Sequence, residues 1–218
     1  MAYRGLIPSR RLSWARDIGG KMRMWLGRSR SFLCYPVSSG RLMNMVAFVP
    51  TNLESEESWT APGDLNMLAA EYAGWDDPVL ETTGALDQTF RWGIYDRAVL
   101  PFWSIGRMTL LGDAAHPMVP HLGQGVAQAI EDGFTLAVLL EGAKPQDVTR
   151  RLKAYERLRL ERTSQIQTMA RETGRFFRAE YQDVAERDRL MARWMAATGW
   201  IRGHDAEKTA KGSLVVTR

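Results

Sequence analysis

Cysteine is almost missing from this 218-residue chain: Cys34 stands alone, so no internal disulfide can form and a reducing compartment is the expected setting. Long apolar runs are missing too. The longest, around Phe134 to Leu140, is far too short to span a bilayer, and no charged-then-apolar leader opens the chain. Together these leave a cytoplasmic protein with no membrane partner as the expectation. A phosphate-cradling loop is also lacking. Gly123-Gln124-Gly125 is followed by Val126-Ala127-Gln128 and fails the G-x-G-x-x-G pattern, and Gly5 and Gly19-Gly20 do no better. His116 and His121 are spaced five apart, off one helical face, with no Cys or Glu to complete a ligand set, so no metal is expected. No Ser/His/Asp or Cys–His arrangement offers a nucleophile. Glu131 and Asp132, as helix neighbours, point in different directions and are not expected to act together.

What is present is the composition of an ordinary globular protein, 45% hydrophobic and 25% charged. The net charge of +4 is uneven. Residues 1–145 carry 13 Lys/Arg against 15 Asp/Glu, and residues 146–218 carry 16 against 10. The basic region interleaves its signs at helical spacing, as in Glu156, Arg157, Arg159, Glu161 and Arg162. That reads as a solvated, ion-paired helix rather than a nucleic-acid surface.

The first hundred residues have strand character. Candidates are Met22–Leu26, Ser31–Val37 and Arg41–Val49, with Ser38-Ser39-Gly40 as a hairpin turn between the last two. Glu54 to Glu57 reads as a surface loop. Asp64 is placed to cap a helix running to about Ala73, closed by Gly74 and Pro78. Thr89–Tyr95 and Met108–Leu111 are further strands. From Gln124 the chain turns helical: Val126, Ile130, Phe134, Ala137 and Val138 fall at core spacing over 124–141, and Gly142 stands where a C-cap glycine belongs. Two or three helices follow, with Leu152, Tyr155, Leu158, Ile166 and Met169 as core candidates. The residues after Gly203 read as a loose polar tail.

The segment Gly106 to Gly125 is the most informative. An apolar strand ends in Gly112-Asp113, a loop stiffened by Pro117 and Pro120 follows, and a Gly-rich turn enters a helix. A carboxylate at a strand end accepts hydrogen bonds from polyol hydroxyls; alternatively, Asp113 caps its own loop. Bare N–H groups at Gly123, Gln124, Gly125 and Val126, with the positive end of the helix dipole, would stabilise negative charge on an electron-poor ring; the plainer alternative is a tight turn into a helix.

This segment resembles the second flavin-binding motif of the FAD-dependent aromatic hydroxylases, the salicylate-hydroxylase-like group of single-component flavoprotein monooxygenases. The resemblance implies an α+β chain that is part of an α/β FAD-binding fold: a substrate-binding β-rich domain (1–101), a strand-loop-helix flavin motif (102–142) and C-terminal helices with a loose tail (143–218). It implies Asp113, after Gly112, at the ribityl portion of FAD, and Gly123 to Val126 at the isoalloxazine. His116 reads as a loop-fixing residue. The substrate-side candidates are His121, Pro120 through its carbonyl, and Arg4 in Ala2-Tyr3-Arg4-Gly5; for Arg4, carboxylate binding and a surface or fold-stabilising role stand equally. Asp96 and Arg97 read as an ion pair. Implied with these are NAD(P)H as reductant, molecular oxygen and a small aromatic substrate. A second copy of the chain or a complementing N-terminal half are the candidate protein partners. Members of the group open with a G-x-G-x-x-G unit, so this chain is expected to be a C-terminal portion. An inactive remnant and a non-hydroxylating flavin oxidoreductase stand as alternatives.

Overall fold

The computed structural model describes residues 1–51, 61–181 and 183–216, so the expected loop at Glu54–Glu57 lies outside the described residues. They form an α+β fold that divides into two compact units. One comprises Met1–Ile94 with Phe176–Glu180, the other Tyr95–Arg175 with Tyr181–Arg218.

The first unit is an antiparallel sheet backed by two short helices. Its strands are β1 (Ala2–Pro8), β2 (Arg23–Gly27), β3 (Arg30–Val37), β4 (Leu42–Phe48) and β5 (Phe90–Trp92), in the order β2-β3-β4-β1-β5. Alternation sends Tyr3, Ile7, Phe32, Cys34, Met43, Met45 and Ala47 to one face. There they form a single apolar cluster with Leu68, Tyr72 and Val79. The β3–β4 hairpin turns at Ser38, Ser39 and Gly40, all at positive φ (53°, 56° and 82°). Helix α1 (Leu65–Glu71) begins as expected at Asp64, whose carboxylate accepts from the Asn66 and Met67 amides. Pro78 closes nothing: it sits in the first turn of a second helix, α2 (Asp77–Gly84), where a missing N–H costs no hydrogen bond. Tyr72 joins the layers, its hydroxyl 3.0 Å from the carbonyl oxygens of Ser31 and Phe48.

The second unit is mostly helical. The expected strand at Met108–Leu111 is reduced to β7 (Met108–Thr109), because its partner β6 (Ser104–Ile105) supplies only two residues. Helices α3 (Gly125–Leu140), α4 (Val148–Phe176), α5 (Val184–Arg202) and α6 (Ala206–Val216) follow. Helix α6 replaces the expected loose tail. Asp205 accepts from the Lys208 amide at its start, and Ala210 and Leu214 pack with Leu139, Leu136 and Val138 of α3. The larger correction concerns α3. Val126, Ile130 and Phe134, expected in the core, are 76%, 56% and 56% exposed, and Ala137 is exposed beside them. The buried side of the helix carries Gln128, Asp132, Thr135 and Leu139. Periodicity located a face but not its direction. Among the described residues, no helix is long and apolar enough to cross a membrane.

Candidate cofactor site

The loop between β7 and α3 takes its shape from three features of its own sequence. Gly112 adopts φ +57° and opens a short 3-10 turn (Gly112–Ala114), in which the His116 and Ala115 amides both donate to the Gly112 carbonyl. Pro120 starts a second such turn, closed by Gly123 at φ +62°, whose amide donates to the Pro120 carbonyl at 2.9 Å. Helix α3 then begins at Gln124, which makes no side-chain cap, so the first-turn N–H groups have no acceptor from the cap side chain or the helix itself.

These turns bring Asp113 and the start of α3 together. Asp113 is exposed, and its Oδ1 lies 3.9 Å from where a Cβ on Gly125 would stand. A Cβ on Gly123 would meet nothing within 4 Å. A carboxylate thus borders an uncapped helix start, with open space over the glycines. Val126, the next residue, is also open to solvent. Five of the six residues expected to bind cofactor are therefore brought to one end of α3, while Gly112 is buried, a Cβ there falling 3.4 Å from the Ala129 Cβ.

The substrate-side candidates distribute differently. Pro120 and His121 lie in the same loop. Pro120 is exposed, and its carbonyl keeps a second lone pair beyond the one used by Gly123. His121 is half-buried against α4, so close that a Cβ on Gly174 would fall 2.3 Å from its Cδ2. Arg4 belongs to the first unit, on β1 between Val46 and Phe90, with its guanidinium 4.5 Å from the centre of the Trp92 ring. Asp96 does not pair with Arg97. It bonds the Arg171 guanidinium, which also reaches the Arg97 carbonyl.

Beneath the loop lies a charged cluster that replaces two expectations. Arg159 is 1% exposed and Asp132 0%, and Arg162 is buried as well, so this part of α4 is not a solvated face. Asp132 Oδ2 accepts from the Gly112 amide at 2.8 Å and lies 2.7 Å from His116 Nε2, while Oδ1 accepts from Arg159 Nε at 2.7 Å. An ionised carboxylate only accepts, so the His116 proton sits on Nε2. Burial pushes the Asp132 carboxyl up, but the bonds from His116, Gly112 and Arg159 outweigh it and hold the group below the usual carboxylate range. Glu131 is likewise opposed by burial and held low by Arg162 and Arg159. Glu131 and Asp132 therefore do act together, as joint acceptors of one guanidinium. The missed signal is the stripe Tyr155, Thr163, Ile166, Ala170 at helical spacing: Arg159 lies inside it.

A family model described as an FAD binding domain matches residues 13–170. The chain is 38% identical over 207 residues to a 3-amino-4-hydroxybenzoate 2-monooxygenase of Streptomyces platensis, covering 94% of this chain and 52% of that protein. It is 31% identical over 222 residues to a salicylate hydroxylase of Pseudomonas putida, with 94% and 51% covered. Among solved structures, a salicylate hydroxylase substrate complex superposes with a TM-score of 0.83 at 30% identity, over 96% of this chain and 55% of that one. The chain spans about half the length of the curated relatives it matches.

Proposed function

The chain belongs to the FAD binding domain family, and from that premise we propose that it forms the flavin-loop and substrate-layer portion of an FAD-dependent, NAD(P)H-driven monooxygenase that hydroxylates a salicylate-like aromatic compound. The observation that carries this reading is the open Asp113 carboxylate beside the uncapped start of α3. In this reading Asp113 accepts hydrogen bonds from the cofactor's polyol hydroxyls. The first-turn amides of α3 hold negative charge on the ring, and the bare glycines let the ring approach the backbone. Bound FAD would supply the electron transfer and oxygen activation. His121 and Pro120 are assigned to the substrate, the imidazole and a carbonyl lone pair toward a ring hydroxyl.

Titration of the chain with FAD, followed by flavin absorbance, tests this. Saturable uptake that Asp113→Ala weakens about tenfold or more, the loss of a charge-assisted hydrogen bond, supports the assignment; uptake indifferent to that substitution overturns it. A second reading, a remnant inactive by itself, is favoured by the exposed stripe of α3 and by the half-length match. It predicts a colourless protein. Oxygen uptake and product analysis with NAD(P)H and an aromatic substrate separate hydroxylation from flavin turnover without a hydroxylated product.

A further inference from the structure

Besides the bond from the Leu110 amide to the Trp103 carbonyl at 3.2 Å, the ties that hold the loop 110–124 lead to one helix. Tyr155 of α4 donates its hydroxyl to the Leu110 carbonyl at 3.2 Å. Arg159 holds Asp132, which in turn holds the Gly112 amide and His116. The same guanidinium donates to the side-chain and backbone oxygens of Gln128, at 2.8 and 3.2 Å, and Gln128 passes the chain of contacts to Gln124 at 3.4 Å. Gln167 donates to the Pro117 carbonyl at 2.8 Å, and Gly174 is the flat seat for His121. Residues 155, 159, 167 and 174 share the buried side of α4.

We propose that α4 is the template of the cofactor loop and that Arg159 is its positioning residue, fixing the loop at Gly112 and Gln124 at once. The physical case is geometric. A planar guanidinium presents its donors in a rigid fork, and here they go to Asp132, Glu131 and Gln128, of which Asp132 holds the Gly112 end of the loop and Gln128 the Gln124 end. A lysine keeps the charge, but its three donors radiate from a single nitrogen and cannot reproduce the spread of the guanidinium fork over these acceptors. The turns at Gly112 and Gly123 are themselves closed by backbone bonds. Arg159 touches neither the glycine-lined space nor Asp113, so it acts through others. The consequence for FAD rests on the cofactor assignment above; the consequence for the loop does not.

Hydrogen exchange read peptide by peptide on the full chain without FAD, for wild type and Arg159→Lys, tests the template role. Exchange across 110–124 is expected to rise at least tenfold while peptides from β1 to β4 stay unchanged. Unchanged exchange across 110–124, or a rise spread evenly over the whole chain, overturns the proposal. Gln167→Leu, which removes one tie of the loop, at Pro117, together with the bond to the Arg97 carbonyl, guards against a lysine variant that fails to fold: its rise within the loop is expected to centre on 115–119, and no local rise there counts against the template. Where the wild type binds FAD, Arg159→Lys is expected to weaken it tenfold or more. A loosened loop with unaltered FAD affinity overturns the positioning of cofactor, and a wild type that takes up no FAD overturns the assignment above while the exchange result still decides the template.

Discussion

The two units of this chain solve burial in opposite ways. In the first, an alternating sheet face and two helices enclose an apolar cluster, from Tyr3 and Ile7 to Met45 and Leu68, with Tyr72 as the polar link. In the second, the most buried side chains include Arg159, Asp132, Gln128, Thr163 and Gln167, while the apolar stripe of α3 faces solvent. The difference teaches that the second core is built for specificity of position. Hydrophobic packing is nondirectional and tolerates shifts, whereas a guanidinium–carboxylate array has one satisfied geometry. A loop that must present one carboxylate beside one helix start is better held by the second kind of core.

The sharpest way to break the contrast is to remove charge from the second unit. Arg159→Met takes a buried cationic partner from both Asp132 and Glu131 beneath the loop and is expected to cost about 3–5 kcal/mol, read as a lowered urea midpoint for that unit. In the first unit the matching injury is a cavity: Met45→Ala is expected to cost about 2–5 kcal/mol by the same measurement, with the loop 110–124 unaffected in hydrogen exchange. Gly174→Ala is smaller, about 1–3 kcal/mol, because a methyl 2.3 Å from the His121 ring forces the imidazole to move; a shifted His121 resonance checks it.

pH sharpens the comparison further. Asp132 and Glu131 are held below their ordinary values, so their contribution is present above the usual carboxylate range and is lost as pH falls through the folded values. The second unit should therefore be the first to loosen in acid. Cys34, in the first unit, runs the other way. Burial pushes its thiol up to about 12 from 9.0, so stability there declines as pH rises from about 9 toward 12. Exchange rates for each unit across both ranges check the pair; acid loosening of the first unit ahead of the second would contradict it. The smallest effect is at the exposed stripe. Phe134→Ser is expected to change stability by no more than about 0.5 kcal/mol while reducing binding of a hydrophobic dye.

Local structure was legible wherever a residue acts on its neighbours. Asp64 capped its helix, Ser38-Ser39-Gly40 turned its hairpin, and the Gly112–Gly125 segment yielded a loop with Asp113 beside a helix start. Partnership across distance was not. Pro78 read as a terminator because a proline can follow one helix as readily as open the next, and Asp96 found Arg171, 75 positions away.

The sequence by itself determined which residue types lie where along the chain: the strand alternation, the glycines that permit positive φ, and the Gly112-Asp113 to Gly123-Gln124-Gly125 pattern of the loop before α3. Tertiary structure alone decided which face of α3 is inside and which charged side chains join Leu152, Tyr155 and Ile166 on the buried side of α4. A helical period marks a stripe as distinct, but a buried stripe may be polar when facing residues complete its hydrogen bonds, and an apolar one stays exposed when no neighbour covers it. Arg159 and Asp132 are buried for the first reason, each being the other's partner across 27 positions, and Val126, Ile130 and Phe134 are exposed for the second.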